Sequence, residues 1–151
     1  MEYLLDTNIV LVYARGNNLT KKIEEELQLL SGDNQLVISV VTVGEIKSLA
    51  IKNNWGKSKV AKLSELLNEF IVADINVEEI TERYAEIDAY SQGKLPGKKG
   101  KFSSRNMGKN DLWIAATGSV LQVVIVTTDS DFDHLEGEYI KLKKVNLNIY
   151  R

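Results

Sequence analysis

Residues 123–131 read VVIVTTDSD, a run of apolar, mostly β-branched residues that passes directly into an acidic turn. A continuous apolar run of this kind is typical of a strand buried on both faces inside a parallel sheet. In open parallel α/β sheets, ligands bind beyond the carboxyl ends of the strands. Asp129 and Asp131 follow this strand directly, so they lie where a site is expected.

Strand-like and helix-like stretches alternate through the rest of the chain. The other candidate strands are residues 3–5, 36–40, 71–73 and 144–147. Amphipathic helical patterns lie between them, and residues 111–121 are apolar on nearly all sides, so that helix is predicted to be central and buried. Strands separated by helices predict a three-layer α/β/α fold with a central parallel sheet.

Length and composition exclude several classes of protein. The 151 residues predict a single domain spanning 1–151. There is no cysteine, which excludes disulfides, zinc–thiolate sites and thiol nucleophiles. The single histidine, His134, cannot form a His-rich metal site, and we interpret it as a solvated or capping residue. No apolar stretch approaches the ~20 residues of a membrane span, so we expect a cytoplasmic protein without membrane contact.

Three further acids are predicted at the same rim as the acidic turn. Asp6 follows the first strand, Glu45 lies in the first turn of the helix after the second strand, and Asp111 opens the buried helix. Carboxylates brought together repel one another unless a positive charge lies between them. Mg²⁺ prefers a few carboxylates together with waters and substrate phosphate oxygens. The pattern therefore predicts a divalent-metal site.

Each acid also has a purely structural interpretation. Thr42 and Glu45 have the spacing of a capping box, and Asp6 and Asp111 occupy positions typical of helix N-caps. The two aspartates of the acidic turn are also compatible with solvated turn residues. Structural caps have no reason to share one rim of a sheet, however, and this shared placement favours the metal site.

Other chemistries lack their motifs. No glycine-rich phosphate loop follows a strand, and there is no G-x-S-x-G nucleophile elbow. A receiver-like signalling domain needs paired acids after its first strand, whereas Asp6 stands alone. A binding module that keeps the fold without catalysis remains an alternative, and metal titration discriminates it from an enzyme.

Four segments, taken in order, resemble the PIN domain family, in particular the VapC-type toxins of toxin–antitoxin pairs. They are Leu4–Asn8 (LLDTN), Val43–Ile46 (VGEI), Asn110–Ala116 (NDLWIAA) and Val126–Phe132 (VTTDSDF). The resemblance spans residues 3–147. It implies a Mg²⁺- or Mn²⁺-dependent endoribonuclease with an RNA substrate, a cognate antitoxin that binds over the acidic site, and a homodimer.

The resemblance also assigns roles to individual residues. Asp6, Glu45, Asp111 and Asp129 match the acidic quartet of the family, both catalytic and metal-binding, and Asp131 matches an additional, less constant acid. Polar positions that support the site are matched by Asn8 and Thr127.

A basic segment departs from the usual family pattern. Residues 92–110 contain six basic residues and no acidic one, in a chain whose net charge is −2. The prediction is an exposed loop insertion over residues 92–109, too polar to pack. Two interpretations stay open, namely a solvated loop that aids solubility and a surface for RNA phosphates. The second assigns RNA contacts to Lys98, Lys99, Lys101, Arg105 and Lys109.

Overall fold

Five strands and six α-helices make up most of the chain, which the computed structural model describes from Met1 to Arg151. The strands are Glu2–Leu5 (β1), Gln35–Ser39 (β2), Ile71–Ala73 (β3), Val124–Thr127 (β4) and Lys141–Lys144 (β5). The helices are Thr7–Arg15 (α1), Asn18–Leu27 (α2), Val40–Lys52 (α3), Lys57–Leu67 (α4), Glu78–Ser91 (α5) and Lys109–Leu121 (α6). Two 3₁₀ helices cover Ser130–Leu135 and Leu147–Tyr150. None of the helices combines the length and the apolarity that a membrane span requires.

The strands form one parallel sheet in the order β3-β2-β1-β4-β5. Tyr3 in the central strand pairs with Leu36 on one side and with Val124 on the other. From β1 the chain first proceeds outward through β2 and β3, then crosses to β4 on the opposite side of β1. The carboxyl ends of β1 and β4 therefore flank a topological switch point, where open α/β sheets bind ligands.

Successive residues of each strand face opposite sides of the sheet. In β1, Tyr3 and Leu5 belong to the core that packs against α1, α2 and α4, whereas Leu4 belongs to the core beneath α5 and α6. Both cores contain fully buried side chains, such as Ile9 on the first side and Ile114 on the second. The predicted three-layer α/β/α architecture with a parallel sheet is confirmed.

The start of α3 differs from the prediction. β2 ends at Ser39, one residue earlier than expected, and the Ser39 hydroxyl caps the helix by accepting from the Val41 amide at 3.1 Å. Thr42 is therefore already helical and buried, and the predicted capping box between Thr42 and Glu45 is wrong. Glu45 lies in the second turn of α3, where its carboxylate is free of a capping role.

The last strand was also predicted at the wrong place. β5 covers Lys141–Lys144, whereas residues 144–147 were expected. Only Leu142 of this edge strand is apolar, so its composition carries no strand signal. Its register is set by pairing with β4, where Thr127 lies opposite Lys144.

The loop between α5 and α6 is less exposed than predicted. Its backbone is tied to α5, because the Arg105 amide donates to the Ser91 carbonyl at 2.7 Å. Met107 is buried, and Leu95 and Phe102 pack against the core beneath α5 and α6. The prediction that this segment is too polar to pack is wrong, because three apolar side chains spread among its lysines provide anchors.

Close packing of α6 on the sheet depends on Gly118. A Cβ at this position would lie 2.6 Å from two side-chain carbons of Ile125 in β4. We expect Gly118→Ala to lower the free energy of unfolding by about 1–3 kcal/mol, because the buried contact must shift to relieve the overlap. Urea unfolding followed by circular dichroism measures this change.

Gly44→Ala is the matched control for Gly118→Ala. Gly44 also lies within a helix, but nothing approaches its added Cβ within 4 Å. We expect it to stabilise the protein by about 0.5–1 kcal/mol through helix propensity. Equal stability of the two variants would contradict the close-packing argument.

Candidate active site

Asp6 is the buried anchor of the site. It connects the end of β1 to α1, and its side chain is only 4 % exposed. One carboxylate oxygen accepts from the Thr7 amide at 2.8 Å and thereby caps α1. The other accepts from the Thr127 hydroxyl at 2.7 Å, at the end of β4. Both oxygens are therefore held in place, and Asp6 joins the two strands that flank the switch point.

Glu45 is fixed by a pair of threonines. The Thr7 hydroxyl donates to the Glu45 carboxylate at 2.9 Å and lies 3.0 Å from the Thr42 hydroxyl. Both threonines are buried, whereas Glu45 is half-buried beside an open cleft of about 510 Å³. Asn110, at the start of α6, lines the same cleft. Among the five acids, only Glu45 lines this cleft.

The remaining three acids form a tight cluster. Carboxylate oxygens of Asp111, Asp129 and Asp131 all lie within 4.8 Å of one another. Asp111 lies in the first turn of α6, and Asp129 caps the first 3₁₀ helix by accepting from the Asp131 amide at 2.9 Å. The Asp129 amide donates to the Thr127 hydroxyl at 2.9 Å. Thr127 thus connects this cluster to Asp6.

The electrostatics of the rim are unfavourable without a cation. The pKa of Asp111 is raised to about 7, chiefly by burial and also by the charges of Asp6 and Asp129. The pKa of Asp6 is also raised, chiefly by burial. The salt bridges of the chain are Lys98–Glu138 and Lys144–Asp133, and neither reaches these acids.

The donor set fits a hard divalent ion. It consists of carboxylate oxygens, with hydroxyl groups behind them and no thiolate or imidazole. Repulsion among these oxygens is the feature that a bound cation relieves.

The predicted acids lie near one another at one rim of the sheet, but the residues that support them differ in part from the prediction. Thr127 contacts the acids as the family resemblance implies, whereas Asn8 is exposed and its side chain makes no hydrogen bond. Thr7 and Thr42 hold Glu45 instead, and neither was assigned to the site. Thr7 is adjacent to Asp6 within the LLDTN segment, which was the available signal.

The expectation for His134 is wrong. It is neither solvated nor a cap, because its ring packs edge-on against Phe102 with centroids 4.9 Å apart, and its Nε2 lies 2.8 Å from the Ser91 hydroxyl. The Nδ1 atom is buried without a hydrogen-bond partner. Burial lowers the pKa of His134, and the nearby Arg105 charge lowers it further.

The basic residues of the loop divide into two groups. Lys98 is half-buried, with its ammonium 2.7 Å from a Glu138 oxygen and 4.4 Å from the centre of the Tyr139 ring. The others are exposed and form no salt bridge, and they are Lys94, Lys99, Lys101, Arg105 and Lys109.

An acidic rim at the switch point of a parallel sheet agrees with the comparison to known protein families. The sequence profile of the PIN domain matches residues 3–138. The chain belongs to the PIN domain family. Its similarity to VapC-type members is likewise confirmed, because Ribonuclease VapC1 of Haemophilus influenzae strain R2866 is 33 % identical over 128 residues, which cover 84 % of this chain and 86 % of that protein.

Solved structures share this PIN fold. VapBC2 from Rickettsia felis, bound to a promoter DNA fragment, aligns with a TM-score of 0.76 at 22 % identity over 97 % of this chain and 100 % of that one. VapBC-1 from nontypeable Haemophilus influenzae aligns at 0.70 with 25 % identity, over 95 % of this chain and 98 % of that one. FitAcB from Neisseria gonorrhoeae aligns at 0.67 with 22 % identity, over 96 % and 97 % of the two chains.

Removing one charge from the PIN rim should stabilise the metal-free protein. Above its folded pKa of about 7, ionised Asp111 opposes folding, whereas below its ordinary value of 3.8 it is protonated in both folded and unfolded states. We therefore expect Asp111→Asn to raise the free energy of unfolding at pH 8 by about 1–2 kcal/mol, less than the full shift implies because water screens this carboxyl. This gain in the free energy of unfolding should be smaller at pH 5 and should nearly vanish near pH 4.

Urea unfolding in the presence of EDTA measures this gain. Asp133→Asn serves as a control, since Asp133 lies in the same acidic turn but pairs with Lys144. A gain that is the same at pH 5 and pH 8 would contradict the origin assigned to it.

Proposed function

We propose that the protein is a Mg²⁺- or Mn²⁺-dependent endoribonuclease, the toxin of a type II toxin–antitoxin pair. The observation that carries the proposal is the convergence of carboxylates at the switch point, three of them within 4.8 Å, without a lysine or arginine paired to them. Its similarity to a ribonuclease over most of the chain supports RNA as the substrate.

The proposed metal ligands are Asp6, Glu45, Asp111 and Asp129, with Asp131 as an additional ligand. A bound divalent ion would lower the pKa of a water molecule and stabilise negative charge on the phosphoryl oxygens. Hydrolysis by that water, with its hydroxyl added to phosphorus and its proton passed to the leaving ribose oxygen, would require no side-chain nucleophile.

The positions of the acids suggest a division of work. Asp6 is buried and held through both oxygens, which suits a fixed ligand. Asp131 is exposed at the edge of the cluster, where it can orient the attacking water. Thr7 and Thr127 donate hydrogen bonds that hold the Glu45 and Asp6 carboxylates in place.

The test replaces Asp6 and, separately, Asp111 with Asn. We expect each change to lower cleavage of a structured RNA about 100-fold or more, because a ligand and a charge are lost from the site. Gel assays with and without Mg²⁺ or Mn²⁺ measure the rate. Asp133→Asn, an acid outside the cluster, should retain activity.

Full activity of both variants would refute the assignment of the acids. If the wild-type protein binds metal and RNA but cleaves none of the RNAs tested, the alternative of a non-catalytic PIN-fold RNA-binding module is favoured instead. Calorimetric titration with Mn²⁺ separates loss of metal binding from loss of catalysis.

We further propose an antitoxin partner and a homodimer. The similar proteins VapBC2 and VapBC-1 were solved as VapBC assemblies, which supports a partner for this chain as well. Co-expression with the product of the adjacent open reading frame, followed by size-exclusion chromatography with light scattering, tests both points. The antitoxin should abolish cleavage if it covers the acidic rim.

For the basic loop we propose contact with RNA phosphates through Lys99, Lys101, Arg105 and Lys109. These exposed cations lack ion-pair partners, whereas Lys98 is already paired with Glu138. Lys109 is also two positions before Asp111, so the loop leads directly into the acidic rim.

Replacing Lys99 and Lys101 together with Ser tests this contact. Each phosphate contact to a single strand contributes about −0.7 to the slope of log K against log salt, so two lost contacts should flatten the slope by about 1.4. Fluorescence anisotropy with a labelled single-stranded RNA, in the non-cleaving Asp111→Asn background, measures the slope. Replacing Lys57 and Lys62 of α4 with Ser is the matched control and should leave it unchanged.

A further inference from the structure

A cluster of three side chains joins the basic loop to the acidic turn. Ser91 at the end of α5 is fully buried, and its hydroxyl lies 2.8 Å from Nε2 of His134 and 3.4 Å from the sulfur of Met107. The Phe102 ring, from the middle of the loop, packs edge-on against the His134 ring at 4.9 Å. We call Ser91, Phe102 and His134 the latch.

The latch connects the loop to the same element that carries two of the acids. His134 belongs to the 3₁₀ helix Ser130–Leu135, which is capped by Asp129 and contains Asp131. Any displacement of this helix relative to the loop would break the Phe102–His134 contact. This contact packs the middle of the loop against the acidic turn.

Additional contacts hold both ends of the loop. Lys98 pairs with Glu138 at 2.7 Å, and Met107 is buried just before α6 begins. A segment of this length without regular structure is costly to order, because each fixed residue loses about 1–2 kcal/mol of backbone entropy. The side chains that the ordered loop exposes to solvent are mostly polar. They include the cations Lys99, Lys101 and Arg105.

His134 is placed for positioning and not for proton transfer. One of its ring nitrogens is engaged by the Ser91 hydroxyl, and the other is buried. Neither nitrogen is available to a substrate at the rim, so its ring serves as a packing surface for Phe102.

We infer that the latch holds the exposed cations of the loop at a fixed place beside the acidic rim, so that they bind the RNA backbone in one register. His134 and Phe102 are thus positioning residues for the substrate. The inference rests on the proposed ribonuclease function and adds to it a determinant of where along the RNA the cut falls.

RNA is favoured over an acidic protein segment as the ligand of this surface. The loop is held by the acidic turn at one side and runs into α6, which carries Asp111, at the other. A polyanion bound to the loop would therefore extend towards the carboxylates, where the phosphate oxygens of RNA could share a divalent ion with them.

The test loosens the latch without removing any cation. Phe102→Leu keeps an apolar side chain at a half-buried position while removing the ring, and His134→Gln keeps a hydrogen-bond partner for Ser91 while removing the ring. Binding of a labelled single-stranded RNA is measured by anisotropy from 50 to about 300 mM KCl, in the non-cleaving Asp111→Asn background. Thermal unfolding establishes that each variant is folded, and Lys62→Ser is the control.

We expect both latch variants to raise Kd about tenfold at low salt and to flatten a salt slope of about −3, the value for four phosphate contacts, by about 1 to 2. In the active background, KM should rise while kcat at saturating RNA stays within about twofold, and cleavage should spread over neighbouring phosphodiester bonds. Manganese affinity should be unchanged, because the acids are intact.

Other outcomes would overturn the inference. Folded variants with unchanged Kd and slope would show that the latch does not position the cations. A fall in kcat with unchanged KM for His134→Gln would assign it to the chemistry instead. Unchanged RNA binding with weakened binding of the antitoxin would mark the loop as a protein-docking surface.

The inference and the proposed function fail separately. If the wild-type protein cleaves no RNA, the ribonuclease proposal fails while the binding measurements still decide the latch. If the Asp111→Asn protein binds no RNA at any salt concentration, the latch inference is overturned. Should His134→Gln not fold, Phe102→Leu still provides the measurement.

Discussion

Repulsion among carboxylates at one rim of the sheet is the constraint around which the surrounding structure is arranged. Asp6 is held by a helix amide and a strand hydroxyl, and Glu45 by a buried threonine pair. The hydrogen bonds to Asp6 offset part of its desolvation, yet its pKa is still raised, and the pKa of Asp111 rises to about 7. Such crowding of carboxylates, without a lysine or arginine paired to them, favours the binding of a cation.

The parallel sheet makes this crowding possible from distant parts of the sequence. β1 and β4 are neighbours although more than a hundred residues separate them, so Asp6 and Asp129 meet beyond adjacent strand ends. Thr127 bridges them directly, with its hydroxyl donating to Asp6 and accepting from the Asp129 amide. The order of the strands thus determines the composition of the site.

Much of this arrangement was predictable, since apolar periodicity and strand-end acids depend on local patterns. The buried β4 and α6 were predicted from their apolar runs. The errors arose where tertiary contacts determine the local structure. Ser39 caps α3 in place of Thr42, and the lysine-rich β5 is defined by its pairing with β4. Phe102 and Met107 anchor a loop that was predicted to be exposed because of its lysines. The partners of His134 come from α5 and from the loop, so no local pattern could reveal them.

The dual role of Asp6 affects how activity can be lost in the evolution of this protein. Because this carboxylate also caps α1, a mutation there removes the N-cap of the helix together with the proposed metal ligand, and we expect the variant to be less stable. Asp111 caps no helix, since the N-cap of α6 is Gly108, and its replacement relieves charge repulsion in the metal-free protein. Inactive but stable relatives should therefore arise more readily by replacement of Asp111 than of Asp6. An inactive relative that persists would keep Asp6.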